Sequence, residues 1–310
     1  MDNLTHSLAG AVLGQMGLKR RTGLAIPALI IGANIPDIDA IATVFGTQSL
    51  AMRRGLTHGP IALVLLPLIL TGLLLAYDRW RPNPKRLPVH RGWLLAVAYI
   101  GTLSHPALDW MNSYGIRFLE PFSSQWFAGD TLFIIDVWIW TALALGVWLS
   151  QRRERRALPN WRTPAVASFA AICAYIFANG LITGRAEAMG TAAVEAAHST
   201  SPTLVVANPV PVTFWQRELH WRDAIEHGSG TFAFPATVAL AGEPARNGMD
   251  YPLVEAARQQ NADARAFLFW SRMPVAKIEG EELVLSDQRF GNPVTANTFV
   301  VRVPLRSLAP

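Results

Sequence analysis

The chain has 310 residues, 51% of them hydrophobic and only 16% charged, with 27 Lys and Arg against 22 Asp and Glu for a formal net charge of +5. That length suits two domains, and the charge content lies below the roughly 25% of ordinary globular proteins. The basic excess falls between apolar runs, where it orients membrane helices and does not read as a nucleic-acid surface; the single cysteine, Cys173, excludes an intrachain disulfide and a cysteine zinc cluster.

The first residues, Met1-Asp2-Asn3-Leu4-Thr5-His6, lack a positive n-region, so the chain's own helices are expected to direct it to the membrane. Residues 4–18 and 22–35 read as short apolar helices of about 13–15 residues, below the roughly 20 needed to span a bilayer. Residues 40–52 form a connector. Spans are predicted at 61–77, 92–110, 131–149 and 164–183, with a polar loop at 112–129. After Arg185 the composition changes. Helices are expected at 187–198 and 252–270, and strands at 203–208, 212–221, 230–234, 282–287 and 298–303. The predicted fold is thus a mainly α membrane helix bundle of about six helices, two of them short, over residues 1–184. A soluble α+β domain follows over 185–310.

Charge sets the expected topology. Basic residues at 19–21, 79–91 and 152–162 belong on the cytoplasmic side. Six passes put all three there, leaving the N-terminus and everything after 183 outside. Arg53 and Arg54 dissent from this scheme. His6, Asp37, Asp39, His58, His105, Asp109, Asp130 and Asp136 then all fall at outer helix ends.

His105 and Asp109 are four apart and share one helix face. Ionisable groups at membrane depth are costly unless they bind something. Singly, each residue has an ordinary alternative: His6 can start a helix, Asp37 a turn, His58 a loop, and His105 beside Pro106 a kink. Jointly they suggest a metal site. Asp37, His58, His105 and Asp109 supply two imidazoles and two carboxylates, and His6, Asp39, Asp130 and Asp136 would complete a second metal or an outer shell. A bound divalent ion can lower the pKa of water to about 7. Zinc suits mixed His and Asp best, with manganese, iron and nickel open. Arg54 suits a substrate phosphate, which the guanidinium fork matches, or else a lipid headgroup. His198, His220 and His227 lack ligand spacing.

The motifs Thr5-His6, Pro36-Asp37-Ile38-Asp39, Arg54-Gly55-Leu56-Thr57-His58 and His105-Pro106-Ala107-Leu108-Asp109 resemble the bacterial membrane-bound metal-dependent hydrolase family. Some of its members are described as inner-membrane hydrolases under DNA-damage control. The resemblance covers about residues 1–183 and implies hydrolase activity. The residue order is more distantly similar to the zinc-dependent bacterial phospholipases C. That likeness implies His6 with Asp109 on one metal and Asp37, His58, His105 and Asp109 on another. It implies Asp37 or Asp39 orienting or deprotonating the attacking water. Those enzymes use a further downstream His and Glu cluster, and here no His occurs between His105 and His198.

The expected function is an inner-membrane, multi-pass hydrolase of an ester or phosphodiester, with a lipid headgroup as the substrate if the site lies at headgroup depth. Asp37, Asp39 and Arg54 would be catalytic, and His6, Asp37, His58, His105 and Asp109 metal ligands. Membrane lipids and a small-molecule or lipid substrate are the expected partners, and nucleic acid is not. The active site and C-terminal domain are expected to face the periplasm or exterior. A metal-ion transporter and a structural metal-binding membrane protein are the alternatives.

Overall fold

A computed structural model of the chain describes residues 1–198, 200–291 and 298–308. Helix α1 (Asn3–Gln15) begins where the Asp2 carboxylate accepts from the backbone N–H groups of Leu4 and Thr5, satisfying donors that a helix start leaves orphaned. α2 (Ala25–Gly32) is shorter than the predicted 22–35 and runs into 3-10 turns over Ile35–Gln48. A single turn, α3 (Ser49–Met52), ends the stretch that reads from sequence as a connector. α4 (Pro60–Trp80) starts on Pro60, whose missing N–H costs nothing at that position. α5 (Arg91–Trp110) carries His105 and Asp109 in its last turns.

α6 (Val137–Arg155) starts six residues later than the predicted 131, because Asp136 caps it by accepting from Trp138 and Ile139. α7 (Thr163–His198) is one 36-residue helix where the sequence suggests two. Nothing between 183 and 187 is a helix breaker except Gly184, which is tolerated inside a helix.

Among the described residues, three stretches are long and apolar enough to cross a membrane: Ala25–Met52, Pro60–Trp80 and Thr163–His198. α1, at 13 residues, is too short to cross alone. The chain forms two compact units, one of Met1–Asp39 with Arg54–Gly180 and the other of Ala40–Arg53 with Leu181–Pro310.

In the first unit, α2, α4 and α5 share one core through Leu29, Leu70, Leu74, Leu94 and Val97. α1, α6 and α7 share another through Val12, Ile139, Leu143 and Ile172. α2 is gripped closely by its neighbours. A Cβ added at Gly10 of α1 would lie 2.8 Å from the Leu29 carbonyl oxygen, and one at Gly101 of α5 would lie 2.7 Å from it. Small residues at such crossings let membrane helices approach and pack.

The basic helix ends gather at one end of this unit. Lys19 and Arg20 pair with Glu154, Arg21 stacks on Trp93, and the His90 N–H donates to Thr22 Oγ1 at 2.8 Å.

In the second unit, β1 (Leu204–Pro209), β2 (Gln216–Arg222), β3 (Glu226–Ala233) and β4 (Thr237–Arg246) form an antiparallel sheet in chain order. Its core face packs Ala207, Leu219 and Phe232 against Ile182 and Ala186 of α7. α8 (Pro252–Gln260) and α9 (Ala262–Trp270) replace the single predicted helix, divided at Asn261, which caps α9 through Ala264 N–H. β5 (Pro274–Glu279), β6 (Glu282–Asp287) and β7 (Val300–Pro304) make a second antiparallel sheet. β4 and β5 were not expected from sequence, since neither keeps a clean apolar alternation.

Asp287 and Arg289 form a buried pair at 2.8 Å beside Trp270. Burial alone would raise the Asp287 pKa, but the Arg289 guanidinium and the Ser271 hydroxyl hold it below the usual carboxylate range. Arg289→Met leaves that carboxylate buried without its cation and is expected to destabilise the domain by about 3–5 kcal/mol. Thermal melting of the detergent-solubilised full chain reads this. Gly101→Ala is expected to cost about 1–3 kcal/mol by overpacking the α2–α5 contact, seen as an earlier melt by the same measurement.

Candidate metal centre

The end of α5 and the two polar turns that follow α2 and precede α4 converge. One ligand atom from each of Asp37, His58, His105 and Asp109 lies within 4.8 Å of the others, so the group could hold a metal ion. His58 and His105 are fully buried, as is Asp109, while the Asp37 side chain is about 10% exposed. The two Nε2 atoms of His58 and His105 are 3.1 Å apart. His105 Nε2 lies 3.5 Å from Asp109 Oδ2 and 3.6 Å from Asp37 Oδ1. His58 Nε2 lies 3.7 Å from Asp109 Oδ2. A tetrahedral ion with ligand bonds of about 2.0–2.2 Å sets its donors about 3.3–3.6 Å apart, close to these separations.

The hydrogen bonds behind the imidazoles decide which nitrogens face inward. His105 Nδ1 is 2.7 Å from the Ala33 carbonyl oxygen. A carbonyl only accepts, so Nδ1 carries the proton and Nε2 presents a lone pair. Thr57 Oγ1 donates to Asp39 Oδ2 at 2.7 Å and therefore accepts from His58 Nδ1 at 2.9 Å. His58 Nε2 is then also bare. Two lone pairs facing each other at this distance repel unless a proton or a metal cation lies between them. Asp37 Oδ1 and Asp109 Oδ2 are buried and make no hydrogen bond, as expected of carboxylate oxygens reserved for an ion. Burial pushes the His58 imidazole below its usual pKa against the pull of Asp109, which favours the neutral form that binds metals.

His6 is adjacent but outside the four. Its Nε2 sits 3.2 Å from Asp109 Oδ1, and its ring stacks on His105 with centroids 3.9 Å apart. The Met1 amino group also meets Asp109 Oδ1. Asp39 is not in the cluster either. Its Oδ2 accepts from Thr57 Oγ1 and from the Arg54 N–H at 2.7 Å, so it braces the turn that carries His58. Asp136 is spent on the α6 cap and on Tyr175, whose hydroxyl donates to it at 2.9 Å. Asp130 is not part of the group either.

Arg54 is buried, so it is no headgroup anchor. Its Nε pairs with Asp109 Oδ2 at 3.0 Å, its Nη1 donates to Asn112 Oδ1 at 3.0 Å, and its guanidinium stacks on Tyr114. Gly59 lets this turn close, since a Cβ there would sit 1.9 Å from the Glu120 carbonyl oxygen.

Sequence reasoning missed the orienting partners. Thr57 stands inside a quoted motif but has no ligand character of its own. The Ala33 carbonyl has no side-chain signature at all. Both have an expected consequence. His105→Ala should release a bound divalent ion, and Thr57→Val should weaken its retention by about 10–100-fold. Elemental analysis of the purified full chain after dialysis measures both.

Residues 1–186, which contain every member of the cluster, match the family model of the YdjM inner membrane protein. No curated protein matches the chain, and no solved structure does. The match supports the inner-membrane part of the resemblance read from the motifs, and the apolar spans agree with it. Because it covers more than half of the residues, the chain belongs to the YdjM inner membrane protein family.

Proposed function

We propose that this protein is a multi-pass, metal-dependent hydrolase of an ester or phosphodiester, with a lipid headgroup as the substrate its depth favours. The observation that carries the reading is the pair of imidazole nitrogens of His58 and His105, 3.1 Å apart and flanked by Asp37 Oδ1 and Asp109 Oδ2, buried carboxylate oxygens that make no hydrogen bond. Such a donor set suits zinc best among the divalent ions. When bound, a divalent ion supplies Lewis acidity and an acidified water.

The chain's own groups have separable roles. Asp37, His58, His105 and Asp109 hold the ion. Asp37 is the least covered of the four and is the one able to orient an attacking water. Asp39 is a positioning residue, acting on His58 through Thr57. His6 fixes the ring plane of His105 by stacking on it. Arg54, held by Asn112 and Tyr114, offers a cation to a developing anionic oxygen.

The positive-inside rule puts the basic ends of α1, α4, α6 and α7 in the cytoplasm. With six passes, counting α1, α2, α5 and α6 as partners in crossing, the cluster and the C-terminal domain face the periplasm.

The test is hydrolysis by the purified, metal-loaded full chain of a generic phosphodiester and of an inner-membrane lipid extract read by mass spectrometry. Asp37→Asn is expected to abolish turnover with folding retained. Arg54→Gln is expected to lower kcat by about 10²–10³-fold. Turnover unchanged in Asp37→Asn, or no metal-dependent product from any lipid class, would overturn the proposal.

The full burial of His58, His105 and Asp109 favours one other reading, a structural metal clamp with a closed coordination sphere. Cobalt-substituted protein separates the two. A visible spectrum that shifts on adding phosphate marks an open position and the enzyme, whereas an unresponsive spectrum marks the clamp.

A further inference from the structure

One end of the four-stranded sheet carries an apolar tip. The β1–β2 loop presents Val212 and Trp215, which are 55% and 41% exposed, and the β3–β4 turn presents Phe234, which is 53% exposed. Gln216 pairs with Ala233 in the β2–β3 register, and the Phe234 N–H donates to the Trp215 carbonyl at 2.9 Å, so both loops lie at the same end of the sheet. Val212 holds a φ of +67°. That conformation is costly for a β-branched residue, yet it leaves the side chain in the open.

This tip is fastened to the point where α7 runs out of apolar sequence. Residues 163–184 carry no charged side chain, and Arg185 is the first. At 1.5 Å per residue that charge-free stretch is about 33 Å long, against a hydrocarbon core of about 30 Å. Arg185 therefore marks the membrane–water boundary. Its Nε donates to the Pro235 carbonyl at 2.6 Å, next to Phe234. Two residues earlier, Thr183 Oγ1 accepts from Arg217 Nε at 3.0 Å. Arg217 is fully buried, and its Nη1 donates to the Phe214 and Gln216 carbonyls on either side of Trp215 at 2.7 and 2.8 Å. The sheet end is thus clamped at the depth of the boundary.

We propose that Val212, Trp215 and Phe234 insert into the interfacial layer of the same membrane that α7 crosses, so that the sheet end is a lipid-docking surface. The occupant follows from continuity: these side chains belong to a sheet end tied through Thr183 and Arg185 to the close of the apolar stretch of α7, where Leu181 is exposed. A tryptophan beside an arginine suits that layer, where an amphipathic ring and a headgroup-facing cation are both satisfied. Ile225 provides an internal contrast. It is 54% exposed but sits in the β2–β3 hairpin at the other end of the sheet, about 20 Å along the strand from the tip.

The experiment uses the full chain in liposomes on a Cys173→Ser background. Trp215→Cys, Phe234→Cys and Ile225→Cys are each labelled with an environment-sensitive fluorophore. Fluorescence is read with nitroxide-bearing acyl chains and, separately, with aqueous iodide. The expected result is blue-shifted emission at 215 and 234, lost to the nitroxide lipid and spared by iodide, with the opposite pattern at 225. Labels at 215 and 234 that behave like the one at 225 overturn the proposal. Labels shielded from both quenchers also overturn it, because a protein, a second copy or another chain, then covers the tip. Should either variant fail to fold by circular dichroism, Val212→Cys reports on the same loop with the same two outcomes.

Discussion

The helical unit is organised around an electrostatic deficit: two buried imidazoles, His58 and His105, turn their Nε2 atoms toward one another across 3.1 Å. Neither ring can relieve this by switching tautomer. The Ala33 carbonyl claims the far proton of one, and the Asp39–Thr57 relay claims the far proton of the other. Asp37 Oδ1 adds a buried oxygen with no hydrogen bond, and Asp109 Oδ2 one that meets the Arg54 guanidinium only as an ion pair. Buried polar groups in this state are costly, and a divalent cation removes every part of the deficit at once. Helix packing serves this arrangement. Ala33 is within reach of His105 because Gly10 and Gly101 let α1 and α5 close on the α2 backbone.

The same unit separates its charges along its length. Lysine and arginine collect where α1, α5, α6 and α7 meet at one end, paired with Glu154 and stacked on Trp93 and Trp161. Histidine and aspartate collect at the other. Arg54 and Arg117 are exceptions, cations buried at the acidic end, and Arg54 is held there by Asp109, Asn112 and Tyr114. The Arg54 backbone adopts φ of +53°, so the turn that supplies both Arg54 and His58 is itself strained. Strain of this kind persists only where surrounding contacts over-determine it. Here those contacts are the Asp39 carboxylate on the Arg54 N–H and the Arg54 carbonyl accepting from the Arg117 N–H.

The C-terminal unit depends on a different device. α7 continues past its apolar stretch, and its Ile182 and Ala186 become part of the β-sheet core. A segment from the N-terminal half, Ala40–Arg53, groups with this unit, and its α3 lies against α9. The chain thus leaves the helical unit after Asp39 and rejoins it at Arg54.

Much of this was legible in residue order. Apolar runs located α4, α5, α6 and the first part of α7, because a helix in lipid must be apolar over most of its surface. The four-residue step from His105 to Asp109 put both on one face, and the polar turns at 36–39 and 54–58 marked the other contributors. The four residues expected to converge, Asp37, His58, His105 and Asp109, are the ones that do, but which other polar residues stay outside them was not legible. Asp136 stood at the same expected depth as the ligands, but an N-cap and Tyr175 use it. His6 lies outside the group of four, stacked on His105 and touching Asp109 Oδ1. β4 and β5 escaped because their exposed faces break the alternation that marks a strand. The sequence by itself determined which residues are apolar on which face and which chemical groups are available. Only the tertiary structure decided which of those groups meet, because that depends on glycines and backbone carbonyls at helix crossings, which carry no chemical signature along the chain.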